Sequence, residues 1–283
     1  AMTPFYNDHT SYGAILAMFI PVVFGLSMSK NKYSQNIQIF SFIALFILLA
    51  AIYLSISRAA WASLIIAIGV FIMLRFKIRL TWVLTAALAV GIVIFSFQEQ
   101  ILMKLEKNKQ DSSDDFIEHV QSMSNIATDA SNLERINRWN SALRLFADRP
   151  IFGWGPGTYQ FVYAPFQNSA DKTVISTNVG NKGTAHSEYL LILSEEGVIG
   201  FLSLISLFIL ISLAAIRVYY QAENPEARKY ALLLFLGLIT YMAHAVFNNF
   251  LDTDKAAVPF WGFAAAIIAL DLYQPKKLIN TKD

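Results

Sequence analysis

Residues 186–200 read HSEYLLILSEEGVIG, and they mark the place where a long polar segment meets an apolar one. The stretch begins with His186 and carries an acidic pair and two glycines just before a long uncharged run. A histidine at the boundary of a bilayer is a functional candidate, because ionisable side chains are rare in membrane segments unless they serve a purpose. The stretch therefore predicts a membrane protein with a polar site at the end of one of its helices.

The composition places the whole chain in a membrane. Of its 283 residues, 55% are hydrophobic and 15% are charged, whereas soluble domains carry about 25% charged residues. The absence of cysteine excludes a disulfide framework, a thiolate nucleophile and a cysteine-based metal site. The formal net charge of +2 is small, and no nucleic-acid partner is expected. The positions of the charges are more informative than their sum.

Seven apolar runs predict an all-α polytopic membrane protein. A transmembrane helix needs roughly 17 to 25 residues to cross about 30 Å of hydrocarbon. The runs cover residues 10–29, 36–57, 59–74, 80–98, 197–216, 230–251 and 256–270. The third and the seventh are short, and the flanking Arg75 and Tyr273 would complete them. The predicted organisation is four transmembrane helices in residues 1–98, a large loop in 99–185 and three further helices in 186–283.

The basic residues predict the orientation of the helices. Only Arg58 and Lys255 lie in the short connections on one side, whereas the alternate helix ends are rich in lysine and arginine. Those basic positions are Lys30, Lys32, Arg75, Lys77, Arg79, Arg217, Arg228, Lys229, Lys276, Lys277 and Lys282. By the positive-inside rule these ends and the C-terminus are cytoplasmic. The first residues, the loop 99–185, His186 and the segment 248–255 are then all extracytoplasmic.

The loop of residues 99–185 is too long for a simple connection. Its first part, residues 107–125, is polar and predicts a mobile segment or an exposed helix. Residues 133–146 place apolar side chains at helical spacing and predict an amphipathic helix that lies along the membrane or caps the bundle. Gly153 and Gly155 then predict a turn whose backbone can approach a ligand closely.

The stretch 186–200 matches the pattern H-[NSQ]-x9-G-x-x-G and resembles the signature of the O-antigen ligase and Wzy-type polymerase superfamily. Three further elements resemble that superfamily in the same order: a Ser-Arg pair, an arginine four residues before a tryptophan and a glycine-rich turn, and a later histidine followed by polar residues. They are Ser57 and Arg58, then Arg135, Trp139, Pro150, Gly153, Gly155 and Gly157, then His244, Asn248 and Asn249. The resemblance covers residues 5 to 272, almost the whole chain.

The resemblance implies a glycosyltransferase with GT-C-like architecture in the bacterial cytoplasmic (inner) membrane. Such proteins move a glycan from an undecaprenyl diphosphate carrier to an acceptor hydroxyl, with the active site facing the periplasm. Family members have more membrane helices than the seven predicted here. The chain is therefore expected to be the C-terminal part of a longer protein.

The candidate site residues suit this chemistry. Arg58 and Arg135 are the candidate diphosphate-binding residues, because arginine offers a permanent planar fork for phosphate oxygens. His186 is the candidate catalytic residue, since an imidazole with an unperturbed pKa of about 6.5 is neutral near pH 7 and can take a proton from an acceptor hydroxyl. A single displacement from the face opposite the diphosphate would invert the anomeric centre. The scheme requires no metal and no cofactor.

Further basic and N-terminal residues are possible supports of the site. Arg138, Arg144 and Arg149 compete with Arg135 for the diphosphate, or they form a stripe that faces solvent or lipid phosphates. The tryptophan spacing favours Arg135. Residues near the N-terminus could line the same cavity, namely Asn7, Asp8 and His9.

Acidic residues and a second histidine leave alternatives open. Glu195 and Glu196 are either a helix-end pair at the water interface or residues that orient His186 or Arg58. His244 is either a packed core histidine or a residue that binds the acceptor. The D-x-D triplet at 252–254 has the spacing of a divalent-metal site. It is interpreted as a polar turn, because its predicted outer location lacks nucleotide sugars.

Several functions remain open at this point. A ligase that acts on lipid A-core, a polymerase that extends a growing glycan and a protein O-oligosaccharyltransferase differ mainly in the acceptor. A flippase for lipid-linked glycans is the alternative without chemistry. It would show charged or broken helices near the bilayer midplane and internal repeats, and the sequence shows neither.

Overall fold

The computed structural model describes residues 5–6, 8–28, 35–79, 81–82, 85, 133–168, 172, 176 and 183–275. The regular elements of these residues are helices, which confirms the all-α fold class. In chain order they are α1 (His9–Ser27), α2 (Gln35–Leu54), α3 (Arg58–Arg75), α4 (133–148), α5 (Tyr159–Val162), α6 (Glu188–Gln221), α7 (Pro225–His244) and α8 (Asp254–Tyr273). A short 3-10 turn, Ala164–Phe166, follows α5.

Five of these helices are long and apolar enough to cross a membrane: α1, α2, α3, α6 and α8. They confirm a polytopic membrane protein and account for five of the seven predicted runs. A sixth run corresponds to α7, which the five do not include. The run 80–98 and the polar segment 107–125 lie outside the described residues, except for a few positions at the start of the former.

The helices pack around α1 and α7. Helix α1 contacts α2, α3 and α7, and α7 also contacts α3, α6 and α8. Glycine permits the close approach of α1 and α7, because a Cβ at Gly237 would lie 2.6 Å from the carbonyl oxygen of Met18. Small residues serve the same purpose in membrane helix pairs generally. The shared core includes Met18, Leu238, Tyr241 and Phe260, all fully buried.

The two ends of the bundle differ in character. At one end the Tyr220 hydroxyl donates to the carbonyl of Leu74 at 2.8 Å, and Arg217 lies 3.3 Å from Asp271. The other end gathers the start of α1, the turn between α2 and α3, α4 and the turn between α7 and α8. The described parts of the chain that the sequence predicts to be extracytoplasmic therefore lie at one end.

Helix α7 ends earlier than the apolar run 230–251 predicts. It stops at His244, and residues 245–253 form turns. The Glu188 carboxylate accepts the backbone N–H groups of Phe250 at 3.1 Å and Leu251 at 3.3 Å. These bonds satisfy donors that would otherwise continue a helix, so a tertiary contact overrides the apolar pattern.

Helix α6 is broken at Gly197. This residue has φ 66° and ψ −164°, which is outside helical geometry. The predicted transmembrane run began at the same residue. The turns before the break, residues 188–196, therefore belong with the polar end of the bundle.

Helix α4 covers the predicted amphipathic segment, and its first turns bury polar side chains. Its polar side chains Glu134, Asn137 and Arg138 are buried, whereas Leu133 and Ile136 are exposed. Ala142 and Leu145 farther along the helix are also buried, whereas Leu143 is exposed, so α4 has apolar side chains on both its buried and its exposed side. The exposed apolar side chains suit a helix at a membrane surface, where lipid covers them.

Candidate functional site

A cavity of about 380 Å³ lies at the polar end of the bundle. Four separate segments form its wall: the start of α1, the start of α4, the approach to α6 and the turn after α7. Its lining residues are Asp8, His9, Thr10, Glu134, Arg135, Thr184, His186, Asn248, Asn249 and Phe250. The cavity therefore joins His186 and Arg135, two of the three leading sequence candidates.

His186 is held at the boundary between the loop and α6. Its backbone adopts a left-handed conformation with φ 50°, which is uncommon outside glycine and marks a constrained position. The indole N–H of Trp139 donates to the carbonyl oxygen of His186 at 3.2 Å. Ser187 caps α6 by accepting the N–H of Leu190 at 3.4 Å. The helix cap and the indole thus fix the residue on both sides.

The surroundings of His186 favour a neutral imidazole. Burial lowers its pKa to about 4, and the positive charges of Arg135 and Arg138 act in the same direction. The carboxylates of Glu134 and Asp8 oppose this shift without reversing it. A neutral imidazole at pH 7 has a lone pair that can accept a proton, which the proposed base requires.

The two arginines near His186 have different tasks. Arg138 is buried, its Nε lies 2.6 Å from Glu134, and its guanidinium stacks over the ring of Tyr163 at 4.1 Å. Arg135 lines the cavity and forms no hydrogen bond or ion pair with another described residue. Burial lowers the pKa of Arg135, yet arginine stays charged at neutral pH. Arg135 is therefore the better placed of the two for an anionic ligand.

The remaining arginines of this segment stabilise the loop. Arg144 donates to the carbonyl oxygen of Phe166 at 2.7 Å. Arg149 stacks over Trp154 at 3.9 Å from the ring centroid. Neither lines the cavity as the structure describes it, whereas Arg135 does.

Glu195 has a task that the sequence did not indicate. Its carboxylate accepts the backbone N–H groups of Gly157 at 2.9 Å and Tyr159 at 2.8 Å. The side chain is buried, and it connects α6 to the loop before α5 rather than orienting His186. Glu196 is half-buried and packs on Gly200 one helical turn later.

Gly153 and Gly197 interlock the loop with α6. A Cβ at Gly153 would collide with the backbone of Glu195, and a Cβ at Gly197 would collide with the carbonyl group of Ile151. Backbone hydrogen bonds join the same two segments, for example Gly155 N–H to Glu195 O at 2.7 Å. The sequence predicted that Gly153 and Gly155 would approach a ligand. In the structure they approach the kink of α6.

His244 lies behind the wall of the cavity. It is 1% exposed, its Nδ1 is 3.5 Å from the side-chain nitrogen of Asn248, and its ring packs near Phe250. Asn248 and Asn249 line the cavity, and the amide oxygen of Asn249 accepts a hydrogen bond from the hydroxyl of Thr184. His244 therefore supports polar residues of the wall, which favours the interpretation as a packed histidine.

Arg58 is not brought to the described cavity wall. It is the exposed first residue of α3, next to Ser57, which packs against Gly13 of α1. Of the N-terminal candidates, Asp8 and His9 line the cavity as expected, whereas Asn7 lies outside the described residues.

Sequence reasoning missed four lining residues: Thr10, Glu134, Thr184 and Phe250. A signal for Glu134 was available, because it precedes Arg138 by four residues, the spacing of an ion pair on a helix. Thr184 lies in a loop without periodicity, and nothing in the sequence distinguishes it.

The fold and the site together define a polytopic helical membrane protein with a polar cavity at one end, built on a neutral histidine and an arginine. The family model described as O-antigen ligase matches residues 43–205, which is more than half of the chain. The chain belongs to this O-antigen ligase family.

Individual relatives agree with that assignment. The chain is 24% identical over 233 residues to an uncharacterised protein of Haemophilus influenzae, covering 81% of this chain and 55% of that protein. It is 31% identical over 100 residues to a probable peptidoglycan glycosyltransferase FtsW of a Geobacter species, covering 34% of this chain and 27% of the relative. The chain thus spans about half the length of the Haemophilus relative and less of the other. These similarities support a membrane glycosyltransferase-like role.

Proposed function

We propose that this chain carries the catalytic site of a glycosyltransferase, an O-antigen ligase or polymerase, that transfers a glycan from an undecaprenyl diphosphate carrier to an acceptor hydroxyl at the periplasmic face of the inner membrane. The observation that carries the proposal is that His186 and Arg135 line one cavity at the end of the helical bundle. Membership of the O-antigen ligase family supports the reaction class.

His186 acts as the general base in this proposal. The acceptor O–H gives its proton to the neutral imidazole while its oxygen attacks the anomeric carbon. The bond between that carbon and the diphosphate oxygen breaks, and the electron pair leaves with the diphosphate. Attack and departure on opposite faces invert the anomeric centre without a covalent intermediate on the enzyme.

Arg135 stabilises the departing diphosphate. Negative charge accumulates on the leaving oxygen, and a guanidinium in a partly buried site is effective against it. Arg58 remains a proposed second diphosphate ligand on the strength of the sequence resemblance. Arg135 is the primary diphosphate ligand in this proposal, because it lines the cavity and Arg58 is not among the lining residues.

The acceptor is lipid A-core if the protein is a ligase, a growing glycan if it is a polymerase and a protein hydroxyl if it is an oligosaccharyltransferase. Asn248, Asn249 and Thr184 offer the amide and hydroxyl groups that bind sugar hydroxyls. Flippase function is the weaker alternative. The break in α6 at Gly197 lies against the loop at the cavity end, rather than midway along the helix.

The proposal is tested in cells that lack their own glycan transferase, by comparing the protein with its His186→Ala variant at equal expression. Loss of the base should lower transfer about 10²- to 10⁴-fold. His119→Ala is the matched control, because His119 belongs to the polar segment 107–125. Undiminished transfer by His186→Ala would exclude His186 as the general base. The identity of the glycosylated product distinguishes the three acceptors.

A further inference from the structure

Glu188 is a buried carboxylate that joins the start of α6 to the turn after α7. Its Oε2 accepts three hydrogen bonds, from the Tyr241 hydroxyl at 3.1 Å and from the backbone N–H groups of Phe250 at 3.1 Å and Leu251 at 3.3 Å. Its own backbone N–H donates to the carbonyl oxygen of Ala245 at 2.9 Å. One residue of α6 therefore holds both ends of this turn.

These contacts belong to the interior of the bundle. Glu188 is 4% exposed and Tyr241 is 0% exposed, so the surroundings of the protein contribute little to the bonds between them. A buried carboxylate is costly unless hydrogen bonds satisfy it, and the three donors to Oε2 are neutral groups. The carboxylate therefore serves the turn as a hydrogen-bond acceptor.

The turn that Glu188 holds presents polar side chains to the cavity of His186. Asn248 and Asn249 lie between its two points of attachment, and both line the cavity. Both are buried, and Asn249 also accepts the hydroxyl of Thr184. The position of these amides in the cavity wall depends on how the turn is attached to α6.

Glu188 is also close in the chain to the candidate base. It follows His186 by two residues, and Ser187 between them caps α6. The base and the attachment of the asparagine wall thus lie at the same helix start. Glu188 is not among the residues that line the cavity as described, so its effect on a reaction would pass through the asparagines and not through contact with a substrate.

We propose that Glu188 is a positioning residue that sets the distance between His186 and the wall formed by Asn248 and Asn249, and that this wall binds hydroxyl groups of the acceptor. This inference rests on the proposed function, from which the acceptor is taken. A general base must lie within hydrogen-bond reach of the hydroxyl that it deprotonates. A misplacement of about 1 Å can cost about 100-fold in rate.

Hydrogen exchange tests the attachment without any transfer reaction. In the full chain in detergent, Glu188→Ala should speed exchange of the Phe250 and Leu251 amides about tenfold or more, because both lose an acceptor. Glu188→Gln should keep most of the protection, since its amide oxygen can accept the same bonds. Mass spectrometry of peptides that cover residues 248–253 measures the rates. Unchanged rates in Glu188→Ala would overturn the proposal.

Tyr189→Phe is the matched control. The Tyr189 hydroxyl donates to the carbonyl oxygen of Met242 at 2.8 Å, so its removal also breaks a hydrogen bond between α6 and α7 but leaves the turn attached. Exchange of residues 250 and 251 should not change in this variant. An increase equal to that of Glu188→Ala would show a general loosening of the helix pair and would contradict a specific role of Glu188.

Tyr241→Phe replaces Glu188→Ala if the alanine variant does not fold. The Tyr241 hydroxyl donates to Glu188 and also accepts the Phe250 N–H at 3.1 Å. Its removal should speed exchange of the Phe250 amide more than that of the Leu251 amide. Equal rates in Tyr241→Phe and the unchanged protein would count against the attachment.

Acceptor kinetics test the positioning itself. Glu188→Ala should lower kcat/KM for the acceptor about tenfold or more and leave the KM for the donor unchanged, and Glu188→Gln should restore most of the activity. Tyr189→Phe should match the unchanged protein. A loss in Glu188→Gln as large as in Glu188→Ala would show that the negative charge is required, and would overturn a role as hydrogen-bond acceptor.

A double variant tests whether Glu188 acts through the asparagine wall. Asn249→Ala should lower kcat/KM for the acceptor, and Glu188→Ala combined with it should be no worse than the more impaired single variant, because the two changes affect one contact. Fully additive losses would contradict this route.

The outcomes separate this inference from the proposed function. Faster exchange in Glu188→Ala with unchanged kinetics would show a purely structural contact and overturn the positioning role. Absence of transfer by the unchanged protein would contradict the proposed function, whereas the exchange rates would still decide whether Glu188 holds the turn.

Discussion

At the scale of single residues, the surroundings of His186 keep its imidazole neutral. Its backbone is left-handed, its carbonyl is held by Trp139, and its imidazole lies in a cavity with Arg135. Burial and positive charge both disfavour the imidazolium, so the pKa falls to about 4. Such a histidine is neutral over the whole physiological pH range. No other residue therefore has to deprotonate its imidazole first.

The pH dependence of transfer follows from this shift. A base with a pKa of about 4 loses activity only when the pH falls through that value, rather than through the ordinary 6.5. The acidic limb of kcat/KM, measured in detergent between about pH 4 and 8, should therefore lie well below pH 6. In Arg135→Gln the acidic limb should move to higher pH, because one of the positive charges that lower the pKa of His186 is removed. A limb that stays at 6.5 in the unchanged protein would contradict a buried base.

Arg135 and Arg138 should respond differently to substitution by lysine. Arg135→Lys should reduce kcat/KM by about 10- to 100-fold with little change in thermal stability, because a charged hydrogen bond to the ligand is worth about 1.5–3 kcal/mol. Arg138→Lys should instead lower the melting temperature, since Arg138 holds Glu134 and stacks on Tyr163. Kinetics and thermal unfolding of both variants check the distinction. The reverse pattern would exchange their roles.

At the scale of elements, the site depends on the contact between the loop 150–159 and the kink of α6. Val198 N–H donates to Pro150 O at 2.8 Å, and Glu195 accepts two amides of the loop. His186 lies two residues before the first residue of α6, so this contact helps to fix the direction from which the histidine enters the cavity. The glycine-rich turn is therefore a packing element that positions the site.

Gly197→Ala should destabilise the protein. A residue with a side chain is strained at φ 66°, and its Cβ would meet the carbonyl of Ile151. Together these effects should cost about 1–3 kcal/mol or more, seen as a lower melting temperature in detergent. Gly69→Ala in α3 is the control, with open space around a new Cβ, and it should be neutral or slightly stabilising. Equal melting temperatures of the two variants would argue against the interlock.

At the scale of the whole molecule, the described residues concentrate chemistry at one end of the bundle. The cavity that holds His186 and Arg135 lies there. The opposite end contributes structural contacts such as Arg217 with Asp271. The proposed reaction requires this polarity, because a lipid-linked donor and a hydroxyl acceptor would meet at the surface of the bilayer.

The orientation of the bundle can be measured with single cysteines, because the chain has none of its own. Gln160→Cys lies at the cavity end and Glu223→Cys at the other, and both positions are exposed. In intact spheroplasts, a membrane-impermeant maleimide should label Gln160→Cys, and Glu223→Cys only after permeabilisation. The opposite labelling would place the site in the cytoplasm and contradict a periplasmic transferase.

The sequence alone determined the membrane class, five of the predicted membrane spans and the order of the motifs, because apolar runs and helical spacing are local properties. It also singled out His186 and Arg135, since histidine and arginine are costly near a bilayer and stand out there. The resemblance carried in the stretch 186–200 agrees with the family that the comparison establishes.

Only the tertiary structure decided which polar residues share a cavity. Glu134 and Thr184 joined the site, Glu195 became an anchor for the loop, and Arg58 stayed outside the described wall. These outcomes depend on contacts between segments that are distant in the chain, and no local pattern encodes such contacts. The early end of α7 has the same origin, because the carboxylate of Glu188 takes the amides that would otherwise continue the helix.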